Sequence, residues 1–394
     1  MQRDAFQALL SPLGQVALQA AVEMRPIEDD FLRYQSALSR SYSPELARAA
    51  LEIAILRREA EEKFPFAEKM YFSRQALEQA SSYSISTYRA QRYAAFTRLV
   101  DLGCSIGGDT IALARITSTL GVDQDLLRLE MALANLAALG LKDRAIFVHS
   151  NLATGLPLRS DLSLALFFDP SRRTQGRRAF SVSQYQPPLA LINDWLQRFP
   201  ALGVKISPGV KLDELEPYDA EVEFISIHGE LKEAVLWFGP LNTAHRRATL
   251  LPGPHTLERQ EAPLEQLPLG EPRAYLYEPD PAILRAGLVG VLGQMLGAAQ
   301  LDPDIAYLTA DHRLTTPFAR SWQVEAWLPF QLKRLRQTLR QRGVGKVIVK
   351  KRGSPLQPEE LVHQLRLEGD QQRVIFLTHL RGRPIVIIAY PNSM

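Results

Sequence analysis

The chain has 394 residues, 46% of them hydrophobic, enough for a sizeable core and two or three domains. A single cysteine, Cys104, excludes a disulfide framework and a cysteine-based metal site, and suits a reducing cytoplasm. A net charge of +3 leaves any nucleic-acid reading to local clustering of cations.

The first residues, Met1-Gln2-Arg3-Asp4, carry no basic and apolar leader. Helical periodicity runs from Met1 to about Arg92, with Leu46, Ala49, Ala50, Ile53 and Ala54 marking one apolar face. Ser43-Pro44-Glu45 is a start signal for that helix, with Ser43 capping and Pro44 in the first turn. A second helix is predicted to start at Phe72-Ser73-Arg74. Ser86 to Arg92 leads into the first strand, and Arg89 and Arg92 are read as solvated helix charges in preference to cofactor or substrate contacts. The whole segment reads as a helical lid in front of a sheet.

The most informative stretch is Leu99 to Ala114. An apolar run reaches Asp101, a turn of small residues follows, and a helix-forming segment begins at once. That is the strand, loop and helix start of a nucleotide-type pocket at the carboxyl edge of a parallel sheet. Gly103 and Gly107 let a ligand approach the backbone closely, with Cys104 and Ser105 lining the turn between them. The spacing departs from the dinucleotide fingerprint, because Ser105 replaces the second glycine and the acid precedes the loop. Asp101 would repel a pyrophosphate and attract a cationic amino group, so S-adenosylmethionine suits the loop better than NAD.

Three more strand ends follow. Leu120 to Asp123 ends in a carboxylate placed for a ribose diol, with Asp125 as N-cap of a helix from Leu126 to Leu141. Ala145 to Asn151 is a strand ending in an amide, and Leu164 to Arg173 a buried strand delivering Asp169-Pro170 to the same edge. A helix from Pro188 to Phe199, a strand at Gly203 to Ser207, and an antiparallel pair either side of Gly229 complete a doubly wound sheet. His149 and His228 end apolar strands without metal-ligand spacing, so no metal is expected.

Composition shifts after Leu241. Residues 251–281 read as a linker rich in proline, glycine and charge, followed by a helix from Ile283 to Ala299 and a short strand at Ile305 to Leu308. The apolar stretch near Leu288 to Leu301 is too short, and at Gln294 too polar, to span a bilayer. From about Ala319 the order is strand, helix, strand, helix, strand, strand. The first of those helices, Pro329 to Arg342, carries Lys333, Arg334, Arg336, Arg340 and Arg342. The strand after it ends in Lys350-Lys351-Arg352, and no acid falls between Gln331 and Arg352, which makes a one-sign surface.

DLGCSIGGD (101–109), FFDPSRR (167–173), VKISPG (204–209) and HGELKEAVLWFGPL (228–241) carry a resemblance. So do LYEPDPAILRAGLV, IAYLTAD, LPFQLKRLR and GVGKVIVKKRG further along. The chain resembles class I S-adenosylmethionine-dependent methyltransferases, and within them a bacterial group with a C-terminal THUMP-like domain. The resemblance implies an α/β fold: a Rossmann-like methyltransferase sheet at 93–241 behind a helical region at 1–92. A linking segment at 242–318 and a small α/β THUMP-like domain at 319–394 would follow. It implies S-adenosylmethionine as cofactor, held by Asp101, Gly103, Cys104 (through its backbone), Ser105, Gly107, Asp123 and Asn151.

In amino-group methyltransferases the motif related to Asp169-Pro170-Ser171-Arg172 is an acid or amide, two prolines and an aromatic. Here Asp169 and Pro170 are kept, so a nitrogen acceptor is expected with Asp169, Pro170 and Arg172 as catalytic residues, while the loss of the stacking ring counts against a base as substrate. Arg172 and Arg173 either bind phosphate bidentately, with Arg177 and Arg178, or Arg172 pairs with an acid such as Glu230. Lys205 either lines the acceptor pocket or is a solvated strand end. The leading expectation is a cytoplasmic RNA methyltransferase acting on ribosomal or transfer RNA, because true THUMP domains bind structured RNA. Docking would use Arg173, Lys205, Lys333, Arg336, Lys350, Lys351 and Arg352. Alternatives are an enzyme acting on a small molecule or protein, and a non-catalytic RNA-associated protein that has kept the pocket. No membrane partner is expected.

Overall fold

A computed structural model describes all residues except 160, 172, 175–176, 179–180, 261–265 and 392–394, and not the side chains of 173, 174, 177 and 178. The chain forms two compact units, residues 1–221 with 233–243, and residues 222–232 with 244–394.

The first unit opens with helices α1 (Arg3–Leu10), α2 (Pro12–Glu23), α3 (Phe31–Leu38), α4 (Pro44–Ala60), α5 (Arg74–Gln79) and α6 (Tyr83–Gln91). Caps set these limits: the hydroxyls of Ser11, Ser43 and Ser73 accept from the amides of Gly14, Leu46 and Ala76. Next come β1 (Arg98–Leu102), α7 (Gly108–Ile116), β2 (Ser118–Asp123), α8 (Leu126–Ala138), β3 (Ala145–His149) and β4 (Ala165–Phe168). Two short strands, β5 (Arg173–Thr174) and β6 (Arg177–Arg178), pair with each other before α9 (Ile192–Leu196) and β7 (Leu202–Ile206). The chain then runs through β8 (Glu221–Ile227) and β9 (Glu230–Phe238).

Strands lie in the order β9-β7-β4-β1-β2-β3, parallel except for β9, which runs antiparallel to β7. This is the expected doubly wound sheet, with its switch point between β1 and β4. Helix α8 ends at Ala138, three residues before the expected limit. The helix expected at Pro188 to Phe199 is a 3-10 turn, Leu189–Leu191, followed by the short α9. On β7, a Cβ at Gly203 would lie 2.3 Å from Tyr93 Oη and 2.6 Å from the Trp237 ring, so only glycine fits there.

Helices α1 to α4 do not stand in front of the strand ends. Phe6, Leu18, Leu51 and Phe72 share a core with Ile111 of α7 and with Met131 and Leu136 of α8, forming a third layer outside those helices. The segment of α5 and α6 reaches the strand tips, where Gln79 O lies 3.4 Å from Lys205 Nζ and Ser81 donates to Glu233. Asn135 of α8, fully buried, fastens this layer. Its carbonyl accepts from Tyr71 N at 2.6 Å, and its amide donates to Tyr71 O at 3.1 Å and to Ile106 O at 2.9 Å.

The second unit contains most of β8, then β10 (Arg246–Leu251) and β11 (His255–Arg259), with β10 parallel to β8 and antiparallel to β11. It continues with β12 (Tyr275–Pro279), α10 (Pro281–Arg285), α11 (Val289–Leu296), β13 (Ala299–Asp302), β14 (Ile305–Ala310), β15 (Ala319–Pro329), α12 (Leu332–Gln341), β16 (Val344–Lys351), α13 (Pro358–Leu365), β17 (Gln371–Leu380) and β18 (Arg383–Ala389). A seven-stranded sheet has the order β13-β14-β12-β15-β18-β17-β16. The expected linker at 251–281 thus contains two paired strands, β11 and β12. The single helix expected at Ile283 to Ala299 is two helices, broken at Gly287. Residues up to Pro329 belong to β15, so the basic helix starts at Leu332. Among the described residues no single helix is long and apolar enough to cross a membrane.

Replacing Asn135 by alanine strands three buried backbone groups, each worth about 1 kcal/mol or more. Asn135→Ala is expected to lower the unfolding free energy by about 3 kcal/mol in urea denaturation. A loss below about 0.5 kcal/mol would remove its clamping role.

Candidate active site

The crevice lies at the carboxyl ends of β1 and β4, where sheet order reverses. Gly103 has φ +80, and a Cβ there would sit 2.8 Å from the Asp169 carbonyl oxygen. Gly107, at φ +82, lies against α8, where a Cβ would come within 3.2 Å of Ala132 and Leu136. Both positions therefore demand glycine, for conformation and for space. Between them Ser105 adopts φ +50, held by its amide, which donates to Asp123 Oδ2 at 2.9 Å.

Asp101 is 1% exposed. One carboxylate oxygen accepts from Thr110 Oγ1 at 2.5 Å, and the other, Oδ1, is buried with no partner. Burial foremost, then the nearby charge of Asp109, pushes its pKa up to about 8. The hydroxyl of Ser105 is also buried without a partner. An ammonium is the ligand group that would complete Asp101, and the bare hydroxyl beside it would take a further polar atom. Burial, then Asp101 and Asp123, push the Cys104 thiol well above its usual range, so it is no nucleophile. The Cys104 amide already donates to Val122 O at 3.1 Å.

Asp123, at the end of β2, spends one bond from each carboxylate oxygen on the backbone, at Ser105 N and at Asp125 N, both 2.9 Å. Each oxygen keeps a lone pair, so a ribose diol remains compatible with this clamp. Asn151 caps a 3-10 turn through Ala153 N at 2.9 Å and is exposed. Its amide oxygen thus holds its own loop.

Asp169 follows β4, with its amide donating to Leu102 O at 3.0 Å and its carboxylate 2.7 Å from Lys205 Nζ. Lys205 is 2% exposed, so it is neither a solvated strand end nor open to nucleic acid. Its ammonium is fixed by Asp169 and lies 3.4 Å from Gln79 O. Pro170 is buried behind Asp169. Arg172 lies outside the described residues, as does the side chain of Arg173, and Glu230 pairs with Lys232 at 2.6 Å.

Arg89 and Arg92 are not solvated helix charges. Arg89 is 2% exposed and joins Asp109 of α7 to Glu233 of β9 at 2.9 Å, stacked 4.5 Å from the Phe167 ring centre. Arg92 pairs with the buried Glu221 and stacks on Trp237 at 5.0 Å. Sequence reading passed over Asn135 and Glu233, whose partners lie far along the chain, and Thr110, whose partner Asp101 is only nine residues away. The one local signal was Asp109, which closes the loop motif. Among the described residues no group of three His, Cys, Asp or Glu side chains is arranged to hold a metal.

The chain is also similar to known proteins. Two proteins of Mycobacterium tuberculosis, from strains CDC 1551 and H37Rv, are each named an uncharacterized S-adenosylmethionine-dependent methyltransferase. They are 34% identical to the chain over 318 residues, covering 78% of it and 84% of their own length. The chain belongs to the S-adenosylmethionine-dependent methyltransferases. Residues 319–391 of this methyltransferase match the THUMP domain-like family, and residues 2–60 match a domain of unknown function. A crystal structure from Porphyromonas gingivalis W83, provisionally named a methyltransferase, shares the fold at a TM-score of 0.72. It is 20% identical and covers 93% of this methyltransferase and 99% of its own chain. S-adenosylmethionine is the cofactor, and the half-satisfied Asp101 and the glycine cradle fit its amino-acid end.

An ammonium on Asp101 requires the ionised carboxylate, so a cofactor seated there must displace its proton. Affinity is therefore expected to rise from pH 6 towards pH 8, with proton release at pH 7 seen as a buffer-dependent heat in calorimetry. Asp101→Asn should weaken binding at least about thirtyfold, or about 2 kcal/mol, and flatten that pH dependence. Unchanged affinity in the variant would reassign the cofactor's ammonium.

Proposed function

We propose that this methyltransferase modifies a nitrogen of an RNA nucleotide, with ribosomal or transfer RNA as substrate. The observation that carries the reading is Asp169, set beside the Gly103 cradle by its own backbone and held by the buried Lys205. S-adenosylmethionine supplies an electrophilic methyl group on a sulfonium. Asp169 is 22% exposed at its side chain, so one face stays open to an incoming amine. Its carboxylate accepts a hydrogen bond from that amine, aligns the nitrogen lone pair with the methyl carbon, and takes the proton lost on transfer. Lys205 positions Asp169 by fixing one carboxylate oxygen. Arg89, through Asp109, sets the charge around Asp101, which receives the cofactor's ammonium in this reading. Asp123 takes the ribose hydroxyls with its remaining lone pairs.

The RNA part of the reading rests on the THUMP-like match and on the cations of the second unit. Strand alternation divides those cations. Lys350 is in register with Phe376 and lies 4.9 Å from the Trp322 ring centre, and Arg352 lies 5.1 Å from that of Tyr307. Lys351, in register with Leu377, points to the other face, where Leu335 and Leu339 of α12 pack. On α12, Arg336 and Arg340 donate to Gln364 O and Arg366 O, and Arg342 pairs with Glu325. Lys333 and Arg334 stay exposed, so they and Lys351 form the cationic face of that side. The engagement of Arg336, Arg340 and Arg342 in the fold is the observation that favours a small-molecule or protein acceptor instead.

Transfer of tritiated methyl from labelled cofactor into total RNA and total protein, both from cells lacking this chain, tests the two readings. The RNA reading expects label in RNA and one new methylated nucleoside; label in protein alone ends it. Asp169→Ala is expected to keep cofactor affinity within about threefold and to lower kcat at least about a hundredfold. Turnover within tenfold of wild type would remove Asp169 from the chemistry.

A further inference from the structure

A cavity of about 390 Å³ opens within the second unit, and none of the residues assigned to the cofactor lines it. Its cationic wall is made by Arg320 of β15, Lys350 of β16 and Arg352 just beyond it, with His228 and His255 at the rim. The acids in the wall are already engaged. Glu278 is 2.5 Å from Lys350 Nζ, and Asp280 caps α10 by accepting from Ala282 N at 2.8 Å.

Arg320 sits opposite Glu278 in the β12–β15 register, yet that carboxylate is spent on Lys350. Among the described residues no hydrogen bond or ion pair engages the Arg320 guanidinium. It lies over the turn formed by His228 (φ +51) and Gly229 (φ +80), where a Cβ on Gly229 would come 3.0 Å from Nη2. Arg352 has an aromatic ring beneath it and no carboxylate beside it among the described residues. Two guanidinium groups thus face one cavity whose wall carries a net charge of +1 with the histidines neutral, Asp280 keeping its charge as a helix cap, and their donor geometry fits phosphate oxygens bidentately. The remaining wall is apolar, built of Leu250, Leu251, Pro252, Pro279 and Pro317. The volume falls in the range of small-ligand sites and exceeds what a bare phosphate fills.

We propose that this cavity is a nucleotide subsite of the RNA substrate, with a backbone phosphate on Arg320 and Arg352 and the sugar or base against the proline wall. The inference rests on the RNA reading above and adds a docking residue, Arg320, on the sheet face that carries Lys350 and Arg352, opposite α12. It is tested on the full chain by fluorescence anisotropy with a labelled single-stranded RNA oligonucleotide, and by calorimetry with inorganic pyrophosphate. Wild type is compared with Arg320→Ala and Arg320→Lys, and thermal melts check that the exposed substitution leaves the fold intact.

Arg320→Ala is expected to weaken oligonucleotide binding about tenfold and to reduce the salt dependence by about one ion, with partial recovery in Arg320→Lys. Equal affinity in wild type and Arg320→Ala would overturn the subsite. Arg320-dependent binding of pyrophosphate without binding of the oligonucleotide would overturn it as well, marking a small-phosphate site. Methyl incorporation is measured in parallel. Labelled RNA with an Arg320-independent affinity removes the subsite alone. Arg320-dependent oligonucleotide binding with label only in protein removes the RNA acceptor and overturns the cavity as a substrate subsite.

Discussion

A guanidinium that is 2% exposed cannot stay charged without carboxylates around it, and Arg89 is the point from which the cleft is assembled. It draws together the first turn of α7 at Asp109 and strand β9 at Glu233, over the face of Phe167 on β4. Ser86 and Ser81 add hydrogen bonds to the same two acids, at 2.6 and 2.8 Å. This anchoring lays the α5–α6 segment across the strand tips, which is how Gln79 O comes near the Lys205 ammonium. Asp109 in turn raises the pKa of Asp101, second only to burial. One buried cation thereby sets the shape of the cleft, while burial and Asp109 govern the proton on the acid at its base, against a smaller opposing pull from Arg89.

Much of that arrangement was legible in the chain. The acid before the small-residue turn, the capping residues Ser43, Ser73 and Asp125, and the run of strands ending in polar residues are all local signals; the caps stand at the helix starts, whereas Asn151 at the end of the third strand holds its own loop. What stayed hidden depends on distant partners. Arg89 and Arg92 look like surface charges on a helix because Glu233 and Glu221, which pair with them, lie more than a hundred residues further on. Lys205 is isolated in sequence and becomes informative only once β7 lies beside β4, opposite Asp169. Asn135 reads as an ordinary polar residue in an amphipathic helix, while its three bonds run to backbone groups of two other segments. The second unit misled differently. A proline-rich stretch resembles a linker by composition, but proline at strand ends and turns leaves β11 and β12 free to pair.

The cations of the THUMP-like region illustrate a related limit. A run of like charges suggests one surface, yet successive residues on a strand alternate sides, so Lys350 and Lys351 part company at the end of β16 and Arg352, just beyond it, returns to the side of Lys350. Each side then solves its charge separately. On one, Lys350 is satisfied by Glu278 and Trp322, leaving Arg320 and Arg352 with charge in excess. On the other, three arginines tie helices and strands together, and the free charge moves to Lys333, Arg334 and Lys351.

The lone cysteine has a practical consequence. Cys104 is 4% exposed, and burial together with two neighbouring acids keeps its sulfur protonated. Maleimides and disulfide-forming labels react through the thiolate. A cysteine introduced on the surface would therefore be the sole accessible thiol, with no need to disturb the glycine loop first. Spin labels or fluorophores can thus be attached one position at a time to an otherwise native chain.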